Sequence, residues 1–304
     1  MKKILLIVLC VVLLVSLASC GCKHEWEEAT CEKPQTCSKC GKQQGEPKHQ
    51  FSEEWTVTED EHWHEAICGH TEFVQDRGNH SYGDYMCSVC GLWGKGPTGG
   101  YVFYDCDADN DETNDGAGPD GLQSSICGWR YLEVAPADLD GQYIFGYFRK
   151  SSGADGRVGT SSWFGSGKGN TEELVTAMGD SAYAYNYMNW VNGKTEKYAA
   201  KVCADYSITV DGVVYDDWFL PSKKELSLIY KNYNRYKDVL GSSFVNNHKG
   251  QAYWSSTEYA DFAETWNEIN NGGEYVWAFD CVSGEFDGFS RNSKLSILPI
   301  RAFK

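Results

Sequence analysis

The sequence has no concentration of positive charge. It contains 27 lysines and arginines against 43 aspartates and glutamates, which gives a formal net charge of -16. Proteins that bind phosphate backbones or anionic polysaccharides normally present a basic patch, and this chain has none. Nucleic acids are therefore disfavoured partners, whereas neutral glycans, proteins and cations remain open.

Histidine is almost absent from the C-terminal two thirds of the chain, where His248 is the only one. A catalytic triad that uses histidine is thus nearly excluded there, unless His248 serves in it. The chain also lacks an H-E-x-x-H motif, so a catalytic zinc site is disfavoured. We therefore do not expect an enzyme.

Residues 21–95 contain few large aliphatic side chains. There are six of them: Val57, Ile67, Val74, Met86, Val89 and Leu92. A core this small cannot offset the entropy lost on ordering the segment. The segment therefore needs cross-links or bound metal to fold.

The first twenty residues have the features of an export signal. Lys2 and Lys3 precede an apolar run over residues 4–17, which is short for a membrane span but suits the apolar part of a secretory signal. The sequence Leu-Ala-Ser-Cys that ends at Cys20 resembles a bacterial lipobox. This resemblance implies lipidation of Cys20 and a lipid anchor at the bacterial cell envelope, with the protein facing outward.

Residues 21–95 hold six of the seven histidines and seven of the thirteen cysteines. Two C-x-x-C-G knuckles, at residues 37–41 and 87–91, divide the segment into two similar zinc-ribbon-like halves. In the first half, Cys37 and Cys40 would be completed from Cys22, His24, Cys31 and His49. In the second half, Cys87 and Cys90 would be completed from His62, His64, Cys68, His70 and His80.

Structural zinc is the favoured interpretation of this segment, because disulfides have no use for the accompanying histidines. Disulfides are the main alternative, since the region is expected outside the cytoplasm. A redox-active C-x-x-C and an unliganded stalk are further alternatives.

A glycine-rich linker at residues 94–100 separates this stalk, residues 21–95, from a large domain at residues 96–304. The large domain is organised around a strand that leads into a helix. Ser222 and Glu225 form an S-x-x-E capping box. The apolar stripe of the helix is Leu226, Ile229, Tyr230 and Tyr233.

Five blocks of this domain are similar, in the right order, to the Lcl C-terminal (Legionella collagen-like C-terminal) domain family. They are residues 100–104, 128–133, 217–222, 253–259 and 300–303. The family often ends in R-P-x-R, whereas this chain has Leu298 in place of the first arginine. The resemblance implies an α+β, C-type-lectin-like fold of short antiparallel strands with two or more helices, related to that of formylglycine-generating enzymes.

In the resembling family, the last third of the domain displays variable loops that contact ligand. The corresponding residues here are Asp261, Phe262, Trp266, Asn267, Phe289, Arg291 and Asn292. Aromatics beside asparagines suit sugar stacking or protein hot spots. We therefore expect a non-catalytic surface lipoprotein that binds an extracellular glycan or protein. The alternatives are an enzyme on the formylglycine-generating-enzyme-like fold and a structural envelope protein.

Four further cysteines are candidates for disulfides. Cys106 and Cys127 bracket an acidic loop, and Cys203 and Cys281 are either bridged or buried. The loop, residues 105–116, alternates carboxylates as a calcium loop does. It lacks the glycine at position six and the glutamate at position twelve, so a solvated acidic loop is favoured over bound calcium.

Three local predictions complete the analysis of the domain. Thr171 is expected to cap a helix. An Asp211-Gly212 turn is expected to close a hairpin. Trp254 and Trp277 lie in strand patterns and are expected in the core.

Overall fold

The structure is a computed structural model that describes residues 22–107, 128–147, 157–184, 193–194, 196–247, 250–259 and 273–304, and only the backbone of 241–247. Several sequence predictions lie outside the described residues. They concern Cys20, Cys127, His248, most of the acidic loop, and the four ligand-contact residues Asp261, Phe262, Trp266 and Asn267.

The chain divides into two compact units. Their bounds are Met1–Thr56 with Glu61–Asn79 for the N-terminal unit, and Val57–Asp60 with His80–Lys304 for the C-terminal unit. The predicted boundary lies after residue 95, but residues 80–95 belong to the C-terminal unit. There the Tyr236 hydroxyl donates to the Cys90 carbonyl, and Gly94 pairs with Val102. The second knuckle is therefore part of the larger unit.

The N-terminal unit consists of short strands. In chain order they are β1 (Trp26–Glu27), β2 (Gln35–Cys37), β3 (Gln43–Gln44), β4 (Thr56–Val57, at the division between units), β5 (Glu61–Glu65) and β6 (Val74–Asn79). Strands β1, β2 and β3 form one antiparallel sheet, and β5 pairs antiparallel with β6. Among the described residues of this unit, Cys37 and Ala66 are the only buried hydrophobic ones. Such a core cannot hold the unit together without cross-links.

The C-terminal unit contains ten strands and three helices within its described residues. In chain order they are β7 (Gly94–Lys95), β8 (Tyr101–Asp105), β9 (Tyr131–Val134), α1 (Gly167–Met178), α2 (Ala199–Ala204), β10 (Ile208–Val210), β11 (Val213–Tyr215), β12 (Trp218–Phe219), α3 (Lys223–Asn247), β13 (Ala252–Glu258), β14 (Tyr275–Asp280), β15 (Glu285–Ser290) and β16 (Ile300–Phe303). None of the helices in the described part of the chain has both the length and the apolar character needed to cross a membrane.

Three small antiparallel sheets build the C-terminal unit. A five-stranded sheet has the order β12-β16-β9-β8-β7, and a three-stranded sheet has the order β13-β14-β15. Strands β10 and β11 form the predicted hairpin, in which Asp211 and Gly212 both have positive φ. The main core lies between α1, α2 and the three-stranded sheet, and Leu174, Tyr198 and Trp254 are fully buried in it. Few helices with several small antiparallel sheets make the fold a mixed α+β one.

The strand-to-helix corner forms as predicted. The Ser222 N–H donates to Glu225 Oε2 at 2.6 Å, and the Glu225 N–H donates to Ser222 Oγ at 3.3 Å. These reciprocal bonds are those of a capping box. Leu226 and Ile229 are fully buried, so the predicted apolar stripe faces the core.

An ion cluster links distant blocks of the C-terminal unit. Arg301 on β16 donates from Nε and Nη2 to the two carboxylate oxygens of Asp217, at 2.7 and 3.1 Å. Its Nη1 donates to Glu133 Oε2 at 3.2 Å. The other Glu133 oxygen accepts bonds from the N–H and hydroxyl of Thr98, at 3.0 and 2.6 Å. Three of the five sequence blocks therefore meet because their charged side chains pair in the interior.

The helix that Thr171 was predicted to cap begins at Gly167, and its cap lies five residues earlier in the sequence than predicted. The N-cap is Ser166, and Thr171 lies inside the helix, where its hydroxyl donates to the Gly167 carbonyl and accepts from the Leu220 N–H. A Cβ at Gly167 would lie 2.3 Å from Glu225 Oε2. The glycine is therefore required by this close approach, although glycine is a poor helix former.

Candidate functional site

The first knuckle lies in the N-terminal unit and gathers four possible metal ligands. Cys22, His24, Cys37 and Cys40 place their donor atoms within 4.8 Å of one another. The His24 Nδ1 atom lies 3.2 Å from the Cys22 sulfur and 3.3 Å from the Cys40 sulfur. Three thiols and one imidazole form a Cys₃His set, which is typical of structural zinc sites.

Backbone geometry orients the two cysteines of the first knuckle. The Gly41 N–H donates to the Cys37 carbonyl at 2.8 Å, and Gly41 has a φ of +71°, which favours glycine. Burial opposes ionisation of Cys37. The His24 ring and the N–H groups of Lys39 and Cys40 outweigh this effect, and the pKa of the Cys37 thiol falls to about 6. The thiolate that a metal requires is thus favoured before any metal binds.

The second knuckle lies in the C-terminal unit and repeats the geometry of the first. The Gly91 N–H donates to the Cys87 carbonyl at 2.9 Å, and Gly91 has a φ of +72°. The site offers at least His80, Cys87 and Cys90, and His80 Nδ1 lies 3.5 Å from the Cys90 sulfur. Burial raises the pKa of Cys90 to about 12, whereas the pKa of Cys87 falls to about 7 because backbone N–H groups outweigh its burial.

A third group of possible ligands lies within the N-terminal unit, away from both C-x-x-C motifs. Cys31, Cys68 and His70 place their donor atoms within 4.8 Å of one another. All three side chains are half-buried. This group was not predicted as a unit, because its members were divided between the two knuckles.

The predicted ligand sets therefore need correction at five residues. Cys31, Cys68 and His70 belong to the third group, and the His49 Nδ1 atom lies 3.3 Å from the Cys68 sulfur. His64 belongs to none of the ligand groups found among the described residues. Its Nδ1 bonds to the Glu54 carbonyl at 3.2 Å, and its ring packs on Trp55 at 3.8 Å. A search for C-x-x-C motifs cannot assign these residues, because nearness in sequence does not decide which side chains meet.

The donor chemistry of these clusters fits a transition metal. Thiolate and imidazole donors suit zinc and related ions, whereas calcium and magnesium prefer oxygen. Each cluster could thus hold a metal ion. At the start of the acidic loop, by contrast, both carboxylate oxygens of Asp105 accept bonds from Arg130, at 2.9 Å each, so this carboxylate is already occupied.

Of the predicted ligand-contact residues, three are described, and the contacts of all three are made within the C-terminal unit. Arg291 is fully buried and donates from Nη2 to Glu258 Oε1 at 2.5 Å. Phe289 packs against the core, with its ring 6.3 Å from that of Trp254. Asn292 accepts a bond from the Ser290 hydroxyl at 2.8 Å. The expectation that Arg291 lies on an exposed loop was wrong, because its charge is paired inside the unit.

The candidate disulfide between Cys203 and Cys281 does not form. Cys203 is buried in the core on α2, where burial raises the pKa of its thiol. Cys281 is exposed after β14, and its thiol donates to the Tyr230 hydroxyl at 3.4 Å. The sulfur of Cys106 lies 3.4 Å from the Trp129 carbonyl.

Aromatic side chains are displayed on the outer face of the three-stranded sheet. On β14, Val276 and Ala278 face the core, so Trp277 projects from the other face and is half-buried. The prediction of a core position thus holds for Trp254 but not for Trp277. The Tyr259 ring lies 4.5 Å from that of Trp277, and Tyr275 is 38% exposed.

Two lysines at the start of α3 extend this surface. The Lys223 ammonium lies 3.3 Å from the centre of the Trp277 ring, and the Lys224 ammonium lies 4.2 Å from that of Trp163. Trp163 is 54% exposed. We call the six residues Trp163, Lys223, Lys224, Tyr259, Tyr275 and Trp277 the aromatic surface. Its period-two alternation along β14 is the signal by which the sequence could have placed Trp277 outside the core.

Comparison with known proteins adds no assignment. No protein-family model matches the chain, and no curated protein matches it.

Proposed function

We propose that this protein is a bacterial surface lipoprotein whose C-terminal unit, a C-type-lectin-like domain of the Lcl C-terminal type, binds an extracellular glycan through the aromatic surface. Cys20 would carry the lipid anchor. Structural zinc at the Cys/His clusters would hold the region next to the anchor in a folded state.

One observation carries the proposal for the ligand: the aromatic surface exposes several rings beside two ammonium groups. Trp163 and Tyr275 are the most exposed of the rings. Aromatic rings offer flat apolar faces that stack on the C–H faces of sugars, and the Tyr O–H and Trp N–H groups donate hydrogen bonds. The lysines suit a glycan that is neutral or carries isolated acidic groups, and the net charge of -16 opposes a polyanion.

A second observation supports a structural role for the metal. In the described part of the N-terminal unit, only Cys37 and Ala66 are buried hydrophobic residues, while donor clusters join segments that are distant in sequence. Metal binding in such regions contributes folding free energy directly.

The test is a glycan array probed with the full chain, followed by affinity measurement on the sugars that bind. We expect Trp163→Ala and Tyr275→Ala each to weaken binding at least about ten-fold, as anchor residues in binding sites do. The matched control is Val282→Ala, a change at an 83% exposed position beyond the far end of the same strand.

Unchanged affinity in both aromatic variants would remove the aromatic surface from the proposal. Binding to no sugar, together with capture of a purified envelope protein, would favour the structural envelope alternative over glycan recognition.

A further inference from the structure

We propose that Cys31, His49, Cys68 and His70 form a third zinc site, which ties the two halves of the N-terminal unit together. Three of these residues already place their donor atoms within 4.8 Å of one another. His49 supplies the fourth donor, since its Nδ1 lies 3.3 Å from the Cys68 sulfur. The His70 Nδ1 atom lies 3.6 Å from the same sulfur.

His49 has the same local setting as the histidines of the two knuckles. Each of the three histidines begins a His-x-aromatic tripeptide, namely His24-Glu25-Trp26, His49-Gln50-Phe51 and His80-Ser81-Tyr82. In each case Nδ1 points at a cysteine sulfur, at 3.3 Å for Cys40, 3.3 Å for Cys68 and 3.5 Å for Cys90.

The backbone around the three tripeptides is also alike. The carbonyl of the middle residue accepts an N–H from the segment that leads to the cysteine, from Ser38 at 2.9 Å, Ile67 at 2.8 Å and Ser88 at 2.9 Å. The aromatic residue pairs with Cys37 in the first case, Ala66 in the second and Cys87 in the third. Ala66 thus stands where the knuckles have their first cysteine.

The third site replaces the missing thiol from elsewhere in the unit. Cys68-Gly69-His70 supplies two donors, with Gly69 at a φ of +84°, and Cys31 supplies the last one from the loop before β2. The result is a Cys₂His₂ set, which is a common ligand set for structural zinc. The loss of the C-x-x-C spacing explains why the motif alone does not reveal the site.

The surroundings hold the His49 ring in place and supply negative charge that favours a bound cation. The His49 ring stacks on Phe73 with 3.9 Å between centroids and 20° between planes. Glu32 adjoins Cys31 and Glu72 follows His70 by two residues, so carboxylates flank the donors in the sequence. Because Cys31 and His49 come from the first half and Cys68 and His70 from the second, a bound ion cross-links them.

The test counts zinc ions per chain by native mass spectrometry on the full protein purified with zinc. We expect His49→Ala and Cys68→Ser each to lose one ion while the remaining zinc is retained. The matched control is His64→Ala, which removes a histidine of the same unit outside the cluster, and it should keep the full count. Full zinc content in His49→Ala would overturn the assignment of His49.

A second measurement on the unaltered protein covers variants that fail to fold. Alkylation with peptide mapping should show Cys31 and Cys68 protected in the zinc-loaded protein and modified after a chelator is added. Immediate modification of both thiols, or recovery of the two as a disulfide-linked peptide pair, would refute the site.

Discussion

The buried pair of Arg291 and Glu258 gives the sharpest stability prediction for the C-terminal unit. Arg291 is 0% exposed and Glu258 is 2% exposed. Besides its bond to Glu258, Arg291 donates from Nε to the Gly273 carbonyl at 2.7 Å. The perturbation is Arg291→Met, which keeps an unbranched apolar chain of similar length but removes every donor.

The expected loss follows from what the substitution leaves behind. The Glu258 carboxylate would keep the N–H groups of Val158, Gly159 and Thr160, at 2.9, 2.8 and 3.2 Å, but would lose its counter-charge. Removal of one partner from a buried ion pair costs about 3–5 kcal/mol. For a unit of this size, each kcal/mol lowers Tm by about 2–4 °C, so a decrease of roughly 6–20 °C is expected.

The assay is denaturant unfolding of zinc-loaded protein followed by tryptophan fluorescence. The double variant Arg291→Met with Glu258→Gln should be more stable than Arg291→Met, because no buried charge is left unpaired. Lys201→Met is the control, since its partner Asp205 has a 60% exposed side chain and such i,i+4 pairs contribute about 0.5 kcal/mol or less. A loss under about 1 kcal/mol for Arg291→Met, or simple additivity in the double variant, would refute the reasoning.

Three further predictions concern pH, ligand and metal. Burial raises the pKa of Glu225 from its ordinary 4.5 to about 7, although several N–H donors act in the opposite direction. The protonated carboxyl therefore stabilises the folded state. This stability is fully present below pH 4.5 and is lost as the pH rises to 7. The free energy of unfolding of the unaltered protein should fall by up to about 3 kcal/mol across this pH range, whereas that of Glu225→Gln should not. Parallel pH curves for the two proteins would contradict the prediction. A Cβ at Gly288 would lie 2.8 Å from the Tyr259 ring, so Gly288→Ala should shift that ring away from Trp277. Glycan affinity should then fall several-fold. Equal affinity of the variant and the unaltered protein would argue against the aromatic surface as the binding site. A chelator should make residues 22–79 sensitive to proteolysis, mapped by mass spectrometry, and continued resistance would mean that metal does not hold the unit together.

The features that the sequence predicts well are those fixed by neighbours along the chain. The capping box joins Ser222 to Glu225, three residues away, and the hairpin depends on Asp211 and Gly212 alone. Similarly, each C-x-x-C-G knuckle carries its own turn. In these cases the interacting groups are held close by the backbone itself, so the pattern determines the geometry.

Sequence reasoning fails where a distant segment decides the outcome. The first helical residue is a glycine, Gly167, because Glu225 and the Leu220 carbonyl leave no room there for a side chain. Arg291 turns inward because Glu258 offers a buried carboxylate held by three N–H groups. Neither partner can be identified from the residues beside these positions, so local patterns predicted a later helix start in the first case and a ligand contact in the second.

The candidate metal ligands are fixed partly by the local sequence and partly by distant segments. This explains why only part of their assignment from the sequence succeeded. A C-x-x-C motif fixes two donors locally, but the third and fourth donors come from wherever the fold brings them. The His-x-aromatic tripeptide is a second local signal, since its middle carbonyl and its aromatic residue both pair with the cysteine-bearing segment in all three occurrences. It therefore selects one imidazole for each cluster independently of how the thiols are spaced. On this argument the histidine tripeptides, rather than the C-x-x-C motifs, predict the number of candidate metal clusters among the described residues, which is three.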